Sequence, residues 1–334
     1  MKSPGPMTLR RGWLHFPTVL FAACAMLLPG AAAAQAWPSK PIKMIVGYPP
    51  GGGTNTVARL LADQMSKSLG QQVVVENRPG AGGRIATTSV VRSDPDGYTL
   101  MFASDAELTI AQVTVKAMPY DPLKDLQPVA LVGRGPYVLA VNGGFAPNTL
   151  AELIAYAKAN PGKVNFGSFG KGSQNHMIDE RFKAAAGITT VHVPYKGSGP
   201  VIADLAGGQV QYTFATPSAT LPLVKSGKLK ILAVAATQRL ARADTIPTMA
   251  EAGLPGFTGG SWYGLLAPAG TPAPIIERLH AEVVAAMNSP EMRRRLEDMS
   301  ILPAPSSPAE LAQLIRSETD SLRALASRIG LEAE

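Results

Sequence analysis

The chain has 334 residues, with 31 Lys+Arg against 24 Asp+Glu, 46% hydrophobic and 16% charged positions, 33 Gly and 29 Pro. This composition excludes a disordered polymer, a coiled coil and a disulfide scaffold, and at roughly 100–200 residues per domain the length predicts two domains. The net charge of +7 is front-loaded: removing Lys2, Arg10 and Arg11 leaves 28 bases against 24 acids. Only Arg293-Arg294-Arg295 clusters after that, and aromatics are 6%, so the electrostatic footprint of a nucleic-acid binder is missing.

The first 36 residues run from a basic stretch through the apolar segment Val19–Leu28 to Pro29-Gly30 and the small residues Ala34-Gln35-Ala36. This is the order of a secretory signal peptide, with the cut expected between Ala36 and Trp37. The apolar run is half the length of about 20 residues that a membrane span needs. Arg10-Arg11 faintly resembles a twin-arginine signal, and Cys24 reads as filler of the apolar run rather than a lipid-attachment site. Cys24 is the only cysteine, so the exported protein is expected to have no thiol nucleophile, cysteine metal site or disulfide.

Ile42–Val46 reads as a strand, and Val57, Leu60, Leu61, Met65 and Leu69 fall at helical spacing beyond Gly51-Gly52-Gly53-Thr54-Asn55. Val73–Val75 and Tyr98–Ala103 are further strands, with a helix through Val91 between them. After Val129–Val132 and Tyr137–Val141 the pattern restarts. The capping box Thr149–Glu152 opens a helix, Val164–Phe166 is a strand, and a second glycine-rich loop, Gly167–Ser173, leads into a helix ending near Ala186. Val191–Val193, Val210–Phe214 and Leu229–Ala235 are strands, with a short helix after Gly199-Pro200. Trp262–Leu266 precedes helices at Pro274–Asn288, Pro290–Met299 and Pro308–Ile329. The alternation predicts tandem α/β units with mostly parallel or mixed sheets, which place ligands beyond the carboxyl ends of their strands.

Both glycine-rich loops end at helix starts, where unpaired N–H groups suit a carboxylate or phosphate; a tight turn with Asn55 as N-cap is the plainer reading of the first. Neither is a P-loop or a convincing dinucleotide fingerprint. His176, His192 and His280 lack metal-ligand spacing, and His176 reads as a packing residue on the turns after the second loop. Gly197-Ser198-Gly199 has the wrong spacing for a nucleophile elbow. The residues show no catalytic machinery and call for no cofactor or metal.

Pro50-Gly51-Gly52-Gly53-Thr54, Glu76–Gly83, Asp96–Leu100, His192–Pro200 and Asp204–Val210, in this order, are a specific set. With them the chain resembles, from Trp37 to its last helix, the substrate-binding receptors of tripartite tricarboxylate transporters, the Bug-type solute-binding proteins. The resemblance implies a periplasmic, monomeric Venus-flytrap protein with a ligand cleft between two α/β domains. Residues 37–139 and 262–334 would form the first domain and 140–261 the second, with crossings near Val138–Asn142 and Gly260–Leu265. It implies a small carboxylate ligand, held by N–H groups and ordered water, and delivery to membrane permease subunits. Carried over residue by residue, one wall is Tyr48, Gly52, Gly53, Thr54 and Asn55 with Ser104 and Asp105; the other is Ser168, Phe169, Gly170, Ser173, His176, Tyr195 and Ala215-Thr216.

Family members often carry Asp where this chain has Asn55 and Asp-Asn where it has Ala215-Thr216. Without those acids an ammonium group has no partner, so the expected ligand is a carboxylate lacking an amine, with an aromatic body in view of Phe169. Asp105 is the residue that could restore the charge. A ligand-sensing module for a two-component sensor uses the same fold, and an exported carboxylate-processing enzyme is the reading from a different class.

Overall fold

The computed structural model of the chain describes residues 1–5, 37–50 and 53–333. The leader with Cys24, the cut before Trp37, and Gly51 and Gly52 of the first loop lie outside the described residues. All elements below belong to the unit Lys40–Glu334.

Strand β1 (Ile42–Val46) runs into helix α1 (Gly53–Leu69), which buries Val57, Leu61 and Met65 at helical spacing. Strand β2 (Val73–Asn77), helix α2 (Arg84–Val91) and strand β3 (Thr99–Ser104) complete two βαβ units, and β2 and β3 flank β1 in parallel. A π-type turn, Ala106–Ile110, and the short helix α3 (Ala111–Thr114) lead to β4 (Leu126–Pro136). One residue later β5 (Val138–Asn142) begins a different sheet.

The second sheet follows with α4 (Leu150–Ala159), β6 (Asn165–Ser168), α5 (Gln174–Ala186), β7 (Val191–Pro194), α6 (Ser198–Ala206), β8 (Tyr212–Ala215), α7 (Pro217–Lys225) and β9 (Leu229–Val234). The chain then returns to the first sheet through β10 (Gly260–Pro268), and α8 (Ala273–Asn288), α9 (Pro290–Asp298), β11 (Leu302–Pro303) and α10 (Pro308–Arg328) follow. The sheet orders are β11-β4-β10-β3-β1-β2 and β7-β6-β8-β5-β9. Both are mixed: β10 is antiparallel to β3 and β4, and β5 to β8 and β9.

Each sheet has its own core. The first centres on Ile45, Met101, Trp262, Leu266, Leu311 and Ile315, the second on Leu139, Phe166, Phe182, Tyr212 and Phe214. A smaller cluster joins Ile110, Val113, Leu322 and Leu325 to Met177 of α5. The last helix, opened by a complete capping box at Ser307 and Glu310, thus packs on the first sheet and meets α5 beside the second.

The resemblance places the crossings near Val138–Asn142 and Gly260–Leu265. In the structure these runs are already strands, and the passages fall at Tyr137 and ahead of Gly260, where neither ladder holds the backbone. Three backbone hydrogen bonds close a ring there: Ala235 N–H to the Tyr137 carbonyl (2.8 Å), Tyr137 N–H to Gly259 (3.0 Å) and Gly259 N–H to Ala235 (2.9 Å). Helix α7 lies where the sequence reading places no element, between the strands ending at Phe214 and starting at Leu229; Pro217 sits in its first turn, where a missing N–H costs nothing.

The second core contains one ionisable group without full compensation. Asp179 is buried, accepts from the Tyr212 hydroxyl at 2.5 Å, and has Lys183 3.9 Å away. Burial pushes its carboxyl up to about 8. The folded state therefore keeps a proton that the unfolded state releases near pH ~4, and stability falls as pH rises between those values, by at most about 1.4 kcal/mol per pH unit. Asp179→Asn should flatten this part of the pH dependence, read as the difference between variant and wild-type urea unfolding from pH 5 to pH 8.

Candidate functional site

The carboxyl ends of the strands that carry the candidate residues are Val46 and Ser104 on the first sheet and Ser168, Pro194 and Ala215 on the second. On the first wall, Tyr48 leaves β1 and donates its hydroxyl to Glu107 Oε2 at 2.7 Å, with Ser104 Oγ 3.3 Å away. Ser104 donates its N–H to Glu107 Oε1 (2.9 Å) and its hydroxyl to Oε2 (2.6 Å). Glu107 is fully buried, and burial raises its carboxyl pKa against the pull of these donors. Burial and the neighbouring Glu107 charge drive the Tyr48 phenol far up, so it stays a neutral donor. Sequence reasoning passed over Glu107, although one acid among Leu108, Ile110 and Val113 is the mark of a buried, partnered carboxylate.

Gly53 and Thr54 form the first turn of α1. Asn55 beside them is 2% exposed; its Oδ1 accepts from Arg59 Nε at 3.2 Å, and its Nδ2 has no acceptor among the described residues. The wall thus offers the helix's first N–H groups and one buried, unspent amide donor.

The second loop differs. Gly170 N–H is taken by Ser168 Oγ (3.2 Å), Phe169 N–H by Asn175 Oδ1 (2.9 Å), Gly172 N–H by His176 Nδ1 (3.1 Å) and Ser173 N–H by the Gly170 carbonyl (3.1 Å). Ser173 Oγ also closes on that carbonyl at 2.6 Å. The turn spends most of its own donors, leaving fewer for an anion than its glycine content promised. His176 lies beneath the turn, stacked on His192 with centroids 3.9 Å apart, and His192 Nε2 sits 2.5 Å from Ser168 Oγ. Burial and the adjacent His176 hold His192 down near 4, so it is neutral at ordinary pH. Tyr195 gives its hydroxyl to Asp204 at 2.7 Å. Thr216 is exposed at the start of α7.

The floor comes from the crossing strands. Side chains on a strand alternate, so Gly135, Tyr137, Ser261 and Tyr263 share one face while Arg134, Pro136 and Trp262 share the other. Tyr263 stacks on Phe102 (6.2 Å, 15°), and its hydroxyl lies close to Gly53 and Gly135. Tyr137 meets Phe169 edge-on at 6.2 Å. Neither tyrosine was picked out from the sequence; their alternation with Gly133, Gly135 and Gly264 was the available signal.

Asp105 is 1% exposed, and Gln174 of α5 donates to its Oδ2. Gln174 also donates to the Gly260 carbonyl and accepts from Ser261 Oγ at 2.7 Å. Burial, with Glu318 and Glu107 nearby, raises the Asp105 carboxyl well above the usual range. The residue expected to supply a charge to the cleft instead ties the two sheets together. Among the described residues no three His, Cys, Asp or Glu gather to hold a metal ion.

The sequence from residue 57 to 331 matches the family model described as tripartite tricarboxylate transporter family receptor. The chain belongs to that family. It is 39% identical to Protein BugT of Bordetella pertussis over 287 residues, 86% of this chain and 88% of that protein. It is 36% identical to a UPF0065 protein in the tcbD-tcbE intergenic region of Pseudomonas sp. strain P51 over 300 residues, 90% of this chain and 89% of that one. Among solved structures it is similar to R. palustris Rpa4515 with adipate (TM-score 0.75, 33% identity, 89% of this chain and 100% of that one). It is also similar to MatC from Rhodopseudomonas palustris with bound malate (TM-score 0.68, 34% identity, 86% and 99%). The two-domain α/β fold with mixed sheets is therefore that of the family's periplasmic binding proteins, which are solute receptors rather than enzymes.

Because Glu107 accepts three donors in a buried site, Glu107→Ala leaves Ser104 N–H unpaired and Tyr48 OH with only Ser104 Oγ, at a cost of about 1–3 kcal/mol. Urea unfolding should show that loss, and Glu107→Gln, which keeps one acceptor oxygen, should recover part of it.

Proposed function

We propose that this receptor-family chain is exported to the periplasm, where it binds a small carboxylate lacking an amine and delivers it to the membrane permease subunits of a tripartite transporter. The observation that carries the ligand class is Asn55: its buried Nδ2 at the first turn of α1 is a donor awaiting an acceptor, and a carboxylate oxygen supplies one. Of the acids on this wall, Glu107 is held by Tyr48 and Ser104, and Asp105, fully buried, accepts Gln174 at Oδ2 while its Oδ1 has no partner among the described residues, so an ammonium group meets no exposed counter-charge there. Adipate and malate, the amine-free diacids in the two related structures, agree with this polarity. Tyr48, Tyr137, Phe169 and Tyr263 around the cleft floor favour a ligand with an apolar or aromatic body.

Closure on the ligand is a hinge motion about the Tyr137–Ala235–Gly259 ring, with the protein acting as a monomer. Nothing in the site invites turnover, and among the described residues no helix is long and apolar enough to cross a membrane.

A thermal-shift screen of mono-, di- and tricarboxylates and amino acids, followed by calorimetry, tests this reading. A ligand at 100 times its dissociation constant stabilises the folded state by about 2.7 kcal/mol. Amine-free carboxylates should stabilise the wild type, and Asn55→Asp should weaken them about tenfold or more by replacing a donor with a like charge. Stabilisation by amino acids alone would overturn the proposal.

A further inference from the structure

Behind the crossing strands, on the face that carries Arg134, Pro136 and Trp262, lies a cavity of ≈ 370 Å³. Its volume falls within the range of small-molecule sites, about 300–1,000 Å³. Both domains build it: Ile110 and Leu322 come from the first, Ile178 and Arg181 from α5 of the second. Tyr48, Asn55, Tyr137 and Tyr263 of the cleft do not line it, whereas Ser261, on the same face of β10 as Tyr263, and Gln174, which accepts its hydroxyl, do.

Two guanidinium groups line the cavity, Arg134 and Arg181. Arg181 donates one N–H to the Thr258 carbonyl at 3.1 Å and lies over the Phe257 ring, 5.4 Å from its centroid. Burial lowers its pKa, the sign of a cation partly stripped of water. The one acid in the wall, Glu318, acts on both guanidinium charges but makes an ion pair with neither; its carboxylate accepts Trp262 Nε1 at 2.6 Å and Thr109 Oγ1 at 3.4 Å. The ion pairs among the described residues include neither Arg134 nor Arg181. A partly desolvated guanidinium that makes no ion pair gains a charge-assisted hydrogen bond when an anion binds beside it.

We propose that this cavity is a second ligand site, taking an organic anion with a short apolar body. Its head group bridges Arg134 and Arg181, and its body lies against Ile110, Ile178 and Leu322. The site stands independently of the cleft reading.

Trp262 reports on it directly. With Trp13→Phe and Trp37→Phe it is the sole indole of the chain, so the purified protein can be titrated with hexanesulfonate at constant ionic strength while its emission is followed. The expected result is a saturable change, weakened about tenfold or more by Arg134→Gln and by Arg181→Met, each removing a charge-assisted hydrogen bond, and unaltered by Asn55→Asp in the cleft. A flat titration, or one that both arginine variants leave in place, overturns the proposal. Loss of the emission change in Asn55→Asp also overturns it by assigning the anion to the cleft. If circular dichroism shows that Arg181→Met does not fold, the exposed Arg134→Gln decides.

Discussion

Two chain passages join the two sheets, and a ring of hydrogen bonds among three backbone segments, at Tyr137, Ala235 and Gly259, holds them together. Each N–H in the ring finds its acceptor on a different segment, so none can shift without stranding a partner in a buried place. The neighbouring Gly260 is held at φ +145°, and a Cβ there would lie 2.3 Å from the Gly135 carbonyl oxygen. Only glycine permits that approach. With the crossing pinned, strand alternation has no freedom left. Tyr137 and Tyr263 must face the cleft, and Arg134 and Trp262 must face α10 and the cavity behind it.

Around this crossing the protein buries acids to an unusual degree. Asp105, Glu107 and Glu318 lie close enough to influence one another, and burial raises the pKa of each. Every one is met by donors from another element: Glu107 by Tyr48 and Ser104, Asp105 by Gln174, Glu318 by the Trp262 indole. Buried carboxylates are tolerable on those terms and strongly position the groups that satisfy them. The result is a candidate wall presenting donors, with its acids buried behind it. The second loop is likewise fixed from below, by His176 under Gly172 and His192 under Ser168.

Much of the architecture was legible along the chain. Ile42–Val46 is short, apolar and bounded by Pro41 and Gly47, and it is a strand; Val57, Leu61 and Met65 at helical spacing are the buried face of α1. The box at Ser307–Glu310 opens the final helix as its residues require. The walls were less legible. Gly167–Ser173 looked anion-ready because glycine and serine are rich in accessible donors, yet the folded turn consumes most of them. Asp105 looked able to restore the charge absent at Asn55 and Ala215, yet Gln174 lies 69 residues further on and closes upon it.

The sequence by itself determined the alternation of strands and helices, the two glycine-rich helix entries and the family, because each depends on residues within a few positions of one another or on motif order. Only the tertiary structure decided which polar groups remain available. Tyr48 meets Glu107 across 59 residues, and Asn55 keeps a buried donor because nothing among the described residues packs an acceptor against it. Hydrogen-bond satisfaction is a property of surroundings, and the surroundings of this cleft are assembled from chain segments that local patterning does not connect.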